Sequence, residues 1–296
     1  MNKILVTGGA GFIGSHIVDK LIEKFEVCII DNLSSGKLEN INKKARYYPM
    51  DITDESIENI FKIEKPDIVI HLAAQISVSY SQLNPIYDAK TNILGTLNLL
   101  KLSKKYFVSK FIAASSAAIY GNIESPILET YYPAPLSNYG ISKLTTENYI
   151  INSKLNYLIL RFSNVYGERQ NTDGEAGVVT IFEELMKANK LVHIHGNGEQ
   201  IRDFIYVKDL AGIVQLLIEN NISNEIINIS TGTGLSINNL YKALSKKYHY
   251  NLPPIYDTAR EGDIKISVLN NEKLMSYFPF FKFTNIEDYK SNIEVV

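Results

Sequence analysis

The chain has 296 residues, 45% of them hydrophobic and 21% charged, enough apolar material for one large α/β domain with a smaller lobe. Its formal net charge of −2 argues against bulk nucleic acid or an anionic membrane as a partner, since either favours a basic surface. A single cysteine, Cys28 in the apolar run 27–30, excludes a disulfide scaffold or a thiolate metal site and reads as a buried structural residue; no metal is expected.

The first apolar run, 3–7, stops at Thr7-Gly8-Gly9, too short for the core of a secretion signal. No stretch approaches the roughly 18 apolar residues that span a bilayer, so a cytoplasmic protein is expected. β-Branched runs at 3–7, 26–31, 45–48, 67–71, 110–114 and 158–162 predict strands. Helical patterns lie between them at 11–24, 54–63, 86–106 and 138–154; Ile93, Leu97 and Leu100 recur at the helical period. Such alternation predicts a doubly wound parallel sheet with helices on both faces. After about residue 164 the pattern changes. Residues 167–177 read as a long polar functional loop, followed by a helix over 178–189 and a short strand near 191–195. A helix over 205–220 and a further sheet strand at 225–229 come next, and the tail from Ser236 mixes short helices with turns. The larger domain is therefore assigned to 1–165 with about 203–232. A smaller, discontinuous C-terminal substrate lobe is assigned to about 166–202 and 233–296.

Between the first strand and the first helix stands Thr7-Gly8-Gly9-Ala10-Gly11-Phe12-Ile13-Gly14. Glycines are needed where such a turn is tight, where backbone approaches a pyrophosphate, and where helix packs closely on strand. The amides and dipole of the helix start then favour phosphate. The second strand ends in an acid, Asp31, 17 positions past Gly14, near the spacing at which a carboxylate meets the adenosine ribose. This is the dinucleotide signature of a Rossmann sheet. An acid there repels a 2′-phosphate and no arginine follows within 32–37, although Lys37 does, so NAD is expected over NADP.

Farther on, Tyr139 and Lys143 lie four residues apart, on one face of a predicted helix. A phenol titrates near 10, too high for a base at neutral pH; bringing it to ~7 takes roughly 4 kcal/mol. The Lys143 cation and an oxidised nicotinamide are the expected sources. Upstream, the serines at 115–116 follow an apolar strand, which sets them at the carboxyl edge where open α/β sheets bind ligands. One of them can hydrogen-bond the reacting oxygen. His193 and His195 alternate on a predicted strand, but no carboxylate or thiol joins them, and they read as ordinary strand residues. Tyr131-Tyr132 and Tyr248-His249-Tyr250 read as packing and surface aromatics.

Taken together these segments resemble the extended short-chain dehydrogenase/reductases, specifically the NAD-dependent epimerase/dehydratase family. The resemblance runs through TGGAGFIGSH (7–16), DNLSSG (31–36), DI (51–52), HLAAQ (71–75), SSAAIYG (115–121), YGISK (139–143), RFSNVYG (161–167), GNGEQIRDFIYVKD (196–209) and REGD (260–263). It implies Ser116, Tyr139 and Lys143 as the catalytic triad. It sets Gly8, Gly11, Phe12, Ile13, Gly14, Asp31, Asn32, Ser35, Gly36, Asp51, Ile52, Leu72, Ala73, Gln75, Asn92, Tyr139, Lys143 and Phe162 around NAD. It assigns Ser116, Asn164, Val178, Arg202, Arg260 and Asp263 to the nucleotide sugar, two arginines being suited to a diphosphate. Ser163 departs from the family pattern, which often carries a larger residue there, and the C-terminus is somewhat short. Four positions past Asp263, Ser267 falls where relatives line the cavity in which the sugar turns; its small side chain implies room for a 2-acetamido group.

Within the family, a 4,6-dehydratase needs an acid and a base beside the serine, and Ala117-Ala118 supply neither. The resemblance is strongest to the UDP-sugar 4-epimerase branch: Tyr139 takes the C4 hydroxyl proton, a 4-keto sugar turns over, and UDP-glucose and UDP-galactose, with UDP-GlcNAc and UDP-GalNAc, interconvert. UDP-glucuronate epimerisation or decarboxylation is the nearest alternative, and a non-catalytic dinucleotide sensor the alternative from another class. A homodimer is implied, through the helices at about 86–106 and 138–154.

Overall fold

The computed structural model describes residues 2–171, 177–260 and 262–289; positions 172–176 of the polar loop and Glu261 of the REGD segment lie outside them. The strands are β1 (Lys3–Thr7), β2 (Glu26–Ile30), β3 (Arg46–Tyr48), β4 (Ile68–His71), β5 (Lys110–Ser116), β6 (Tyr157–Phe162), β7 (Asn164–Tyr166), β8 (His193–His195), β9 (Ile201–Tyr206), β10 (Glu225–Ile229), β11 (Gly234–Ser236), β12 (Ile255–Asp257) and β13 (Ile266–Ser267). The helices are α1 (Phe12–Leu21), α2 (Glu58–Glu64), α3 (Val78–Leu83), α4 (Pro85–Ala89), α5 (Gly95–Lys105), α6 (Asn138–Asn152), α7 (Val178–Lys187), α8 (Val207–Glu219), α9 (Ile237–Lys247) and α10 (Glu272–Tyr277).

A seven-stranded sheet runs in the order β10-β6-β5-β4-β1-β2-β3, with β3, β2, β1, β4 and β5 paired in parallel. The winding reverses between β1 and β4, the switch point at which such sheets open a crevice at their carboxyl edge. Ile4, Leu5 and Val6 of β1 are all buried, as are Cys28, Ile29 and Ile30 of β2, because helices cover both faces. Leu5, Cys28, Ile57, Phe61, Leu99 and Phe111 share one core cluster. Cys28 is inert there; burial pushes its thiol up to about 12.

The helix expected over 86–106 is interrupted. After α4 the chain winds one π-helical stretch, Lys90–Leu94, before α5 begins at Gly95. Such wide turns are rare and mark functional positions, and this one carries buried Asn92. The helix expected from 205 starts at Val207, because Ile205 and Tyr206 belong to β9.

The chain forms two compact units. The first takes in residues up to Gly121, Tyr132–Arg161 and Leu210–Ile227; the second takes in Asn122–Tyr131, Phe162–Asp209 and everything from Asn228 onward. In the second unit β9 pairs with β11, β13 and β7, and β8 pairs with β12. Among the described residues no helix is long and apolar enough to cross a membrane.

Candidate active site

At the switch point the glycine turn is a cradle that side chains would fill. Gly8 has φ +73°, and a Cβ on it would meet the Ala73 amide nitrogen at 2.7 Å. A Cβ on Gly14 would fall 2.0 Å from the Gly8 carbonyl oxygen, so α1 packs here only because the position is bare. Gly11 opens α1 with no side-chain cap, which leaves the first amides of the helix to an anion. Phe12, Ile13 and Gly14 form that first turn.

Asp31 is buried at the end of β2. One of its carboxylate oxygens accepts from the Ala10 amide at 2.9 Å and the other from the Leu33 amide at 2.8 Å, so the acid is locked to both the glycine turn and its own loop. The Lys37 amide donates to the Ala10 carbonyl at 3.1 Å, drawing Ser35 and Gly36 over the turn. Asn32 donates to Asp51 at 2.7 Å, and Asp51 also accepts from the Thr53 amide, beside Ile52.

The Leu72–Gln75 segment is tied to β1 through His71. The Thr96 hydroxyl donates to the Asn92 carbonyl, so at His71 Nε2 it acts as acceptor and the imidazole carries its proton on Nε2. Nδ1 then accepts from Thr7, whose oxygen takes the Ala73 amide. Burial, with Lys143 nearby, holds His71 down to about 3, so the ring is neutral. Asn92 donates to the Gln75 carbonyl at 3.0 Å and to Ser142 at 3.0 Å, and accepts from the Gln75 amide at 2.8 Å.

The proton-transfer residues meet in the first unit. Ser116 ends β5, and its Oγ accepts from the Ala118 amide at 3.1 Å. Ser137 caps α6 by accepting from the Gly140 amide. Gly140 lets that helix approach, since a Cβ on it would lie 2.7 Å from the Ala118 carbonyl oxygen and 2.9 Å from Pro135. Ser116 acts on the Tyr139 phenol, favouring its ionised form. Lys143 is buried one turn on, and none of the described residues accepts from its ammonium.

Burial pushes the Tyr139 phenol up to about 12, with Ser116 pulling it down and Asp88 pushing it higher. Lys143 itself is brought down to about 8 by burial, against the upward pull of Glu147 and Asp88.

In the second unit, Arg202 of β9 stands opposite Ser267 of β13 in register, and Asn164 of β7 stands opposite Phe204. Positions 202 and 204 share a face of β9, so Asn164, Arg202 and Ser267 do as well. Arg202 forms an ion pair with Asp263, which also accepts from Gln200 at 3.2 Å. The Arg260 side chain is exposed, and among the described residues only its carbonyl is engaged, by the Asp263 amide at 3.3 Å. Val178 opens α7, and Phe162 is buried at the end of β6. A cavity of about 690 Å³ is walled by Phe204, Leu235, Asn239, Lys242 and Phe283, none of them expected at the substrate.

Sequence reasoning passed over several residues that build these sites. Buried Arg161 grips both oxygens of Glu147, at 3.0 and 2.7 Å, and donates to Tyr120 at 2.7 Å, joining two of the motifs to α6. Asp203, buried within β9, accepts from Thr231 and Gly232; burial raises it to about 6. Asp88 accepts from Gln75 and Asn92. Spacing was the available signal, since Glu147 lies four residues past Lys143 and Asp88 four before Asn92.

Comparison with known proteins agrees with this geometry. The model of the NAD dependent epimerase/dehydratase family matches residues 4–230. A putative UDP-glucose 4-epimerase of Methanocaldococcus jannaschii is 45% identical over 280 residues, covering 92% of this chain and 91% of that one. The UDP-glucose 4-epimerase of Thermotoga maritima, solved with UDP-glucose, superposes with a TM-score of 0.90 at 48% identity, covering 93% of this chain and 91% of the other. The UDP-N-acetylglucosamine 4-epimerase of Methanobrevibacter ruminantium, in complex with UDP-N-acetylmuramic acid, gives 0.90 at 37% identity, covering 97% and 94%.

Proposed function

Because the chain belongs to the NAD-dependent epimerase/dehydratase family, we propose that it is a UDP-hexose 4-epimerase that works in the cytoplasm through a 4-keto sugar. The observation that carries this reading is the pairing of Ser116 with the buried Tyr139 phenol, the buried Lys143 ammonium one turn on, and only alanines at 117 and 118. This set moves one proton at one carbinol carbon. It holds no second acid or base to remove a C5 proton and expel a C6 hydroxyl.

Tyr139 takes the proton from the sugar O4, and Ser116 holds that oxygen and shares its proton. The Lys143 charge favours the phenolate once further positive charge arrives. NAD, when bound, supplies the hydride acceptor at C4 and the donor for its opposite face. Gly8, Gly11 and Gly14 with the opening amides of α1 would hold its pyrophosphate, and Asp31 its adenosine ribose, where the acid disfavours a 2′-phosphate. Asn32, Ser35, Gly36, Asp51 and Ile52 line the adenosine side, and Leu72, Ala73, Gln75, Asn92 and Phe162 the nicotinamide side. In the second unit Arg202 and Arg260 bind the diphosphate, Asp263 the ribose, and Asn164 and Val178 the remainder of the nucleotide sugar. The relative solved with UDP-glucose supports uridine as the base, and the acetamido-sugar relative supports a cavity tolerant at C2.

A homodimer is part of the reading. Leu83, Ile86, Tyr87 and Leu94 are exposed along α3, α4 and the π-helical stretch, with Ile141 and Tyr149 exposed eight residues apart on α6. Such a patch on a helix pair fits a second copy of the same patch.

The test is to incubate the purified protein with UDP-galactose and with UDP-glucuronate, without added reductant, and to identify products by NMR. UDP-glucose from the first is the expected result. A pentose product or a C4-epimerised uronate with no hexose conversion would move the assignment to the uronate branch.

A further inference from the structure

We propose that Asp88, outside the Ser116–Tyr139–Lys143 set, is a positioning residue for it: its carboxylate anchors the clasp that fixes the start of α6 and, with Glu147, supplies the counter-charge that keeps Lys143 protonated. The proposal deepens the epimerase reading and rests on it for its catalytic part.

The geometry comes first. Asp88 lies on α4 and is almost wholly buried, at 1% exposure. One of its oxygens accepts from Gln75 Nε2 at 2.8 Å and from Asn92 Nδ2 at 3.1 Å. The Asn92 side chain forms a closed clasp with the Gln75 main chain in the loop after β4, and its two amide hydrogens are shared among the Gln75 carbonyl, Asp88 and Ser142 Oγ, the last at 3.0 Å. Ser142 in turn donates to the Tyr139 carbonyl at 2.9 Å. An unbroken path of hydrogen bonds therefore runs from the Asp88 carboxylate to the backbone that carries the phenol. A buried network of this kind holds its geometry only while every member is satisfied.

Charge is the second observation. The titratable groups that act on or with Lys143 are Glu147 from its own helix, Asp88 from α4 and His71 from β4, with Tyr139 one turn back on α6. Glu147 is already matched, both oxygens gripped by Arg161. His71 is neutral. Asp88 has no cation among the described residues within ion-pair distance, so its charge adds to that of Glu147 in holding the ammonium. Without it, Glu147 alone opposes the burial that favours the neutral form.

Two substitutions separate the roles. Asp88→Asn keeps an oxygen for Gln75 and Asn92 and removes the charge; Asp88→Ala removes both. In holoenzyme labelled at lysine Cε, the Lys143 resonance, assigned by its loss in Lys143→Arg, reports the titration without substrate. It is expected to titrate roughly one unit lower in Asp88→Asn than in wild type. An unchanged midpoint overturns the charge role. Asp88→Ala is expected to lose about tenfold or more in kcat with KM for the sugar nucleotide within threefold, because the nucleotide is held elsewhere. Wild-type kcat in this variant overturns the positioning role. If wild type converts no UDP-sugar while the Lys143 midpoint still falls in Asp88→Asn, the epimerase reading fails and the electrostatic assignment stands.

Discussion

Ser267 is the residue on which sugar choice should turn. It faces the same side of the second unit's sheet as Arg202, directly opposite it in register, so a larger side chain there crowds the space beside Arg202. Ser267→Tyr is expected to suppress turnover of UDP-GlcNAc selectively and to spare UDP-glucose. For wild type the two sugars should differ by no more than about 10–200-fold, the worth of one or two packing contacts. Equal loss of both reactions in the mutant would remove Ser267 from the sugar cavity. His71 makes a prediction about stability. Its folded pKa of about 3 lies below the ordinary 6.5, so the unfolded chain binds the extra proton between those values. Stability from this group is complete above about 6.5 and falls by about 1.4 kcal/mol per pH unit as pH drops toward 3. Urea titrations across that window should show a shallower acid slope for His71→Gln than for wild type; equal slopes would mean that His71 is charged or exposed.

At the scale of elements, α6 and the turn after β5 are set by one bare position. Gly140→Ala puts a Cβ 2.7 Å from the Ala118 carbonyl, and backbone rather than a flexible side chain must give way. The expected result is a fall of tenfold or more in kcat with bound NAD retained, read by turnover and by dinucleotide released on denaturation. A mutant with wild-type kcat would show that Tyr139 and Ser116 do not need this approach. The strands of the seven-stranded sheet were legible because parallel strands buried on both faces are unbroken β-branched runs, as in Ile4-Leu5-Val6. The helix α3 was not: VSYSQL is six residues long, serine-rich and without an apolar period. Nor was β9, where Ile-Arg-Asp-Phe-Ile-Tyr carries two adjacent charges that only the structure explains. Arg202 is paired with Asp263, and Asp203 is bound by the Thr231–Gly232 amides. The glycine turn, Asp31 and the Tyr139/Lys143 spacing could be read directly, since each is a local pattern. The Asp88–Gln75–Asn92–Ser142 path could not, because it joins residues up to 67 positions apart through tertiary contacts that leave no local signature.

For the whole molecule, the exposed apolar stripe on α3, α4 and α6 should set the oligomeric state. Replacing Ile86 and Leu94, exposed at 84% and 56%, by aspartate puts charge into that patch. Light scattering after size exclusion should give a dimer for wild type and a monomer for the double variant. A wild-type monomer at micromolar concentration would remove the dimer from the account. The central claim concerns the fate of one hydrogen: C4 gives it up as hydride and takes the same one back on the other face, while Tyr139 handles only the hydroxyl proton. UDP-[4-²H]galactose turned over in ordinary water, with no nucleotide added, tests this directly by NMR of the product. The account predicts UDP-glucose with deuterium retained at C4, and no conversion by Tyr139→Phe above about a hundredth of the wild-type rate. Loss of the label to solvent, or full conversion by the phenylalanine variant, would contradict it.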